Sequence, residues 1–238
     1  MQFIRSLLIG ITASLFAASG AALAQSNDAA GYTTLSQPQR TDSGDKVEVI
    51  EFFGYFCPHC NVFDPALTEW VKKQKDNIVF KCVHVAFGAA GGSQLKATTA
   101  QQKMYYALEA MGKAEELHPK VFNAIHVQRQ QLYTDDAITQ FIAKQGIDQQ
   151  KYTDVANSFG VQSKMSAATR MLANYNIDGV PTIVIDGRYV TSPELAGRTL
   201  KNRTEQADGM AALKVMDGLV AQIRAERSKG GAKPAQQK

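Results

Sequence analysis

The sequence predicts an α/β protein: a mixed β-sheet with flanking helices and an inserted α-helical domain. Three observations point to it. Residues from Val47 to about Phe87 read as strand, helix, strand. From about Thr98 to Ile177 the apolar residues recur at helical spacing almost without a break. After Gly179 the pattern returns to two short strands and a long final helix. A βαβ unit and a ββα unit separated in sequence are able to join into one sheet with helices on both faces.

Tyr32 to Leu35 forms a short first strand, and Ser36 to Asp45, with Pro38 and Gly44, is a loop. Val47 to Phe53 is mostly apolar on both faces, the mark of a central strand covered on both sides. Glu51 within it therefore faces an interior. A helix follows from Pro58 to about Gln74, with Val62, Phe63, Ala66, Leu67, Trp70 and Val71 as its apolar stripe. Pro58 suits a first helical turn, where the missing N–H costs nothing, whereas Pro65 should kink the helix. Ile78 to Phe87 is the next strand, parallel to the first.

The helical block carries five stripes. They are Met104, Tyr105, Leu108 and Met111; Leu117, Val121, Phe122 and Ile125; Ile138, Phe141 and Ile142; Tyr152, Val155 and Phe159; and Met165, Ala168, Leu172 and Tyr175. Side chains at this spacing read as core. Thr182 to Ile185, Asp186-Gly187 and Arg188 to Val190 make a hairpin signal. The last helix runs from about Glu205 to Arg227, and the polar end, residues 229–238, is expected to be disordered.

The chain has 238 residues, 45% hydrophobic and 20% charged, enough for a substantial core. The formal charge of +4 comes with no basic run in the middle of the chain, so the sequence shows no nucleic-acid footprint. Met1 to Ala24 reads as a secretory signal. Arg5 supplies the positive charge, Leu7 to Ala18 the apolar segment, and Ala22-Leu23-Ala24 the small-x-small cleavage pattern. Export after cleavage at Ala24 would place the chain in an oxidising compartment, where disulfides persist.

The chemistry gathers at Cys57-Pro58-His59-Cys60. A single such pair cannot build a closed four-cysteine zinc site. It follows a β-rich run and opens a helix, whose free N–H groups and positive dipole end favour a thiolate. Cys57, at the helix start, is the expected nucleophile, and Cys60, one turn inside, the resolving thiol. A static disulfide here would close too small a loop to stabilise much. Cys82 lies mid-strand among apolar residues and reads as a buried spectator. His118 and His126 show no partner in the sequence.

Glu51-Phe52-Phe53, followed by Phe56-Cys57-Pro58-His59-Cys60, resembles the active site of the DsbA family of periplasmic thiol oxidases. Gly31-Tyr32-Thr33-Thr34-Leu35 resembles the start of the mature chain in that family, and Gly179-Val180-Pro181-Thr182 its cis-proline segment. The resemblance covers about Tyr32 to Arg227. It implies a thioredoxin-like fold over residues 25–95 and 178–228, with the helical insertion over 96–177 capping the active-site side. It implies that His59 stabilises the Cys57 thiolate, that Val180 and Pro181 present backbone groups to a substrate peptide, and that Glu51 assists proton transfer near Cys60. The family often gives the acidic residue a lysine partner. Here Cys82 stands at that position, with Lys81 beside it, so either Lys81 substitutes or Glu51 is harder to ionise.

The implied function is a periplasmic oxidase. It would pass the Cys57–Cys60 disulfide to newly exported, cysteine-containing proteins and be reoxidised by a membrane DsbB-like, quinone-linked partner. No cofactor and no metal is expected, and the protein is expected to be a monomer. An isomerase or reductase on the same fold, or a metal carrier using Cys57, Cys60 and His59 or His84, are the alternatives.

Overall fold

The structure is a computed structural model that describes residues 26–27 and 30–230. The expected signal segment and the chain end beyond Gly230 lie outside the described residues. Six strands form one sheet: β1 (Ser26–Asn27), β2 (Tyr32–Thr34), β3 (Val47–Phe53), β4 (Ile78–His84), β5 (Thr182–Ile185) and β6 (Tyr189–Thr191). Their order is β1-β2-β6-β5-β3-β4. Only β3 and β4 run parallel, with Glu51 opposite Cys82; the other neighbours are antiparallel.

Every residue of β3 is buried, Glu48 and Glu51 included, which fits a central strand covered on both faces. Val47 and Val49 join one core with Phe63, Leu67 and Trp70 of α1 (Pro58–Gln74) and Met216, Val220 and Ile223 of α8 (Glu205–Gly230). Ile50 and Phe52 join a second core with the helical block. That block comprises α2 (Ser93–Ala110), α3 (Ala114–Phe122), a π-helical turn (Asn123–Val127), α4 (Asp135–Lys144), α5 (Gln149–Ala156) and α6 (Phe159–Tyr175). The central sheet is thus sandwiched, and the carboxyl ends of β3 and the first turn of α1 sit where the two cores meet.

The hairpin at Asp186-Gly187 forms as expected, with both residues in the left-handed region at φ 55° and 64°. The Arg188 N–H closes the turn on the Ile185 carbonyl at 3.0 Å. Six details differ from the sequence reading. β4 ends at His84, not Phe87, and α2 begins at Ser93, not Thr98. Phe159 is no part of the fourth stripe, because Ser158 caps a new helix with its hydroxyl and Phe159 starts it, 87% exposed. Met210 of the last helix is also exposed. A short helix, α7 (Pro193–Gly197), and strand β1 were not foreseen. Both are shorter than any window over which periodicity is measurable.

Candidate active site

A tight turn joins β3 to α1. The Cys57 N–H donates to the Gly54 carbonyl at 3.0 Å. A Cβ at Gly54 would stand 2.2 Å from the Phe56 ring, which would have to move to admit it. Cys57 is then the N-cap of α1, with Pro58 in the first turn, where the absent N–H deletes no helical bond. The Cys60 N–H donates to the Cys57 sulfur at 3.2 Å. The structure shows Cys57, Cys60 and Cys82 as thiols.

The two thiols of the motif are pushed apart in acidity. Cys57 is lowered from 9.0 to about 7. The Cys60 thiol donating to its sulfur is the largest cause; the Cys60 amide and the His59 charge add to it, against the effect of burial. Cys60 is raised well above the ordinary thiol range, chiefly by burial, then by Cys57 and the nearby Glu51. The start of α1 therefore favours the thiolate of Cys57, itself only 5% exposed, and keeps its neighbour protonated.

His59 projects from the first turn, and its Nδ1 lies 2.6 Å from Oε1 of Glu205, the first residue of α8. The Val180–Pro181 peptide is cis. The Val180 carbonyl accepts from the Cys57 thiol at 3.3 Å, so the two loops meet at the Cys57 sulfur across 123 residues of chain. A cleft of about 700 Å³ opens beside them, lined by His59, Val180, Pro181, Leu195 and Arg198 among others. Its wall mixes apolar side chains such as Val62 and Ile177 with charged ones, Glu194, Arg203 and Glu205 among them.

Glu51 is buried behind the motif, and its carboxyl is raised from 4.5 to about 8, first by burial and then by the Asp64 charge. Lys81 does not reach it: the Lys81 ammonium pairs with Glu48 at 2.6 Å. Register explains this, since successive strand residues point to opposite faces and Lys81 lies opposite Ile50 rather than Glu51. The Cys82 sulfur approaches Glu51 Oε2 at 3.8 Å instead. The reading of Glu51 as a carboxyl hard to ionise agrees with this geometry.

His118 and His126, which showed no partner in the sequence, both have one. His118 Nε2 lies 2.9 Å from Asp64 and its Nδ1 3.1 Å from the Tyr55 hydroxyl. His126, placed by the π-helical turn, donates from Nε2 to the Tyr55 carbonyl at 2.8 Å. His84 is neutral, held down to about 3 by burial, and accepts the Tyr55 N–H at 3.0 Å. These partners lie 29 to 71 residues from Tyr55, so no local motif announced them.

A family model for the DSBA-like thioredoxin domain matches residues 48–201. The thiol:disulfide interchange protein DsbA of Burkholderia cepacia is 41% identical over 219 residues, covering 92% of this chain and 94% of that protein. Its counterpart from Bordetella parapertussis is 38% identical over 200 residues, covering 84% and 88%. The crystal structure of Pseudomonas aeruginosa DsbA superposes with a TM-score of 0.72 at 30% identity, covering 83% of this chain and 94% of that one. With the thioredoxin fold, the helical insertion and the paired cysteines at the start of α1, the chain belongs to the DsbA-like family of thiol:disulfide oxidoreductases.

Proposed function

We propose that this protein is exported to the periplasm, loses its signal after Ala24, and oxidises newly exported cysteine-containing proteins through Cys57. The observation that carries the reading is the split between the two thiols: Cys57 lowered to about 7 and Cys60 raised. In the oxidised protein a substrate thiolate attacks the Cys57 sulfur. The Cys57–Cys60 bond breaks, and Cys60 leaves as a thiolate that takes up a proton. A second substrate thiolate attacks the substrate sulfur of the mixed disulfide and releases Cys57 as a thiolate. The substrate dithiol has then lost two electrons and become a disulfide, and Cys57–Cys60 has gained them.

Each neighbouring residue has a part in this scheme. Pro58 keeps the first turn of α1 free of an unused donor. The His59 charge favours the departing Cys57 thiolate. Glu51, protonated at neutral pH, is the nearby group that exchanges a proton with Cys60. Val180 and Pro181 offer the substrate backbone a strand-like edge beside the sulfur. Residues 25–95 and 178–228 hold the reacting groups, and the insertion over 96–177 covers them. A membrane DsbB-like, quinone-linked protein restores the disulfide, and the protein works as a monomer.

The test is the equilibrium of Cys57–Cys60 with glutathione. Strong oxidants of this kind, DsbA itself being the reference, lie near −120 mV, and thioredoxin near −270 mV. A value near the first is expected. A value near the second would replace the oxidase by a reductase. N-terminal sequencing of the exported protein should begin at Gln25.

A further inference from the structure

Tyr55 is fully buried two residues before Cys57, and three of the four histidines in the chain hold its three polar groups. Its N–H donates to His84 of β4, its carbonyl accepts from His126 of the π-helical turn, and its hydroxyl meets His118 of α3. Tyr55 is also the second residue of the Gly54–Cys57 turn. The proton arrangement follows from the partners. His118 donates from Nε2 to the Asp64 carboxylate, which leaves Nδ1 to accept the Tyr55 O–H. Burial raises the Tyr55 phenol well above its ordinary range, so that O–H is always present to donate.

One imidazole thereby touches both flanks of the cysteine motif. Tyr55 precedes Cys57 by two residues, and Asp64 lies one helical turn beyond Cys60. The ring of His118 is seated by Phe53, Tyr55 and Phe122, with centroids 5.0 to 5.3 Å away. Its side chain is 16% exposed and that of Asp64 15%, so the pair is only weakly screened by water.

We propose that His118 is a positioning residue for disulfide exchange: through Tyr55 and Asp64 it fixes the turn against α1, so that the Cys57 sulfur stays at the helix start. The proposal rests on the reading of Cys57 as the attacked sulfur. A loosened turn lets Cys57 rotate away from the Cys60 N–H, and the thiolate then loses donors that favour it. The insertion thus contributes to the chemistry by holding it, besides covering it.

The experiment compares Tyr55→Phe, His118→Ala and His118→Gln with the parent, all in the reduced form. Cys57 ionisation is followed by thiolate absorbance against pH, the potential by equilibrium with glutathione, and stability by thermal unfolding. Loss of one hydrogen bond should cut the thiolate-to-thiol ratio on the acid side of the titration by roughly three- to tenfold in Tyr55→Phe and His118→Ala. Tyr55→Phe combined with His118→Ala should do no more than either alone. His118→Gln, which keeps one donor and one acceptor, should recover part of the loss. Titrations and glutathione constants identical to the parent, with only the melting temperature lowered, would overturn the proposal and leave His118 a stability residue. If His118→Ala does not fold, Tyr55→Phe decides, since it removes only an oxygen. A parent whose Cys57 titrates at the ordinary thiol value overturns the nucleophile reading, and the proposal with it.

Discussion

Glu51 and Cys82 face each other across the parallel β3–β4 pair, with the Cys82 sulfur 3.8 Å from the carboxylate oxygen. Among the described residues, the ion pairs include none to Glu51. A weak thiol donor does little to offset burial of a carboxylate, and the acid is held at about 8. A cation at the Cys82 position would change this. In Cys82→Lys the Glu51 midpoint, followed by carboxyl NMR, should fall by more than one pH unit, as expected for an opposite charge at this range. A midpoint still near 8 would show that burial alone governs it.

The same carboxyl sets a pH dependence of stability. Glu51 titrates near 4.5 in an unfolded chain and at about 8 in the fold, so the folded state binds the proton more tightly. Its contribution is full below the lower value and is lost as pH rises through the upper one. The full difference is on the order of 5 kcal/mol. The reduced Cys57 thiol runs the other way: lowered from 9.0 to about 7, it stabilises above pH 9 and that support is lost as pH falls through 7. Measuring the oxidised protein removes that second contribution. Urea titrations of oxidised Glu51→Gln should therefore show a flatter decline between pH 4.5 and 8 than the parent. Parallel curves would sink this account.

The causes that act on Cys57 rank its neighbours. The Cys60 thiol comes first and the His59 charge after the Cys60 amide. Cys60→Ala should raise the Cys57 midpoint from about 7 more than His59→Ala does, and Cys60→Ser, which keeps a donor, should raise it least. The readout is thiolate absorbance of each reduced variant. A larger rise in His59→Ala than in Cys60→Ala would reverse the order argued from the geometry.

Stability and redox chemistry should separate on the face of the sheet away from the insertion. Leu67 of α1 is 2% exposed and packs in the core shared with α8. Leu67→Ala should cost about 2–5 kcal/mol in urea unfolding, from lost burial and a residual cavity. The glutathione equilibrium should stay at the parent value, because neither the Gly54–Cys57 turn nor the cleft touches this side chain. A shifted potential would mean that α1 moves as a whole when its core is emptied.

What the sequence determined by itself is local and periodic. The mostly apolar run of β3, the helical stripes, the Asp186-Gly187 hairpin and the Cys57-Pro58-His59-Cys60 motif were each legible within a window of a few residues, because backbone geometry imposes those spacings. The tertiary structure alone decided which polar groups meet. It paired Lys81 with Glu48 and left Glu51 facing Cys82, since a one-residue difference in register flips a side chain to the other face. It placed Ser158 as a cap and Phe159 in solvent, where periodicity alone continues a stripe. It brought His84, His118 and His126 from three separate elements onto Tyr55. A histidine has no spacing rule of its own. Its partner is set by chain closure over tens of residues, and that closure exists only once both cores have packed.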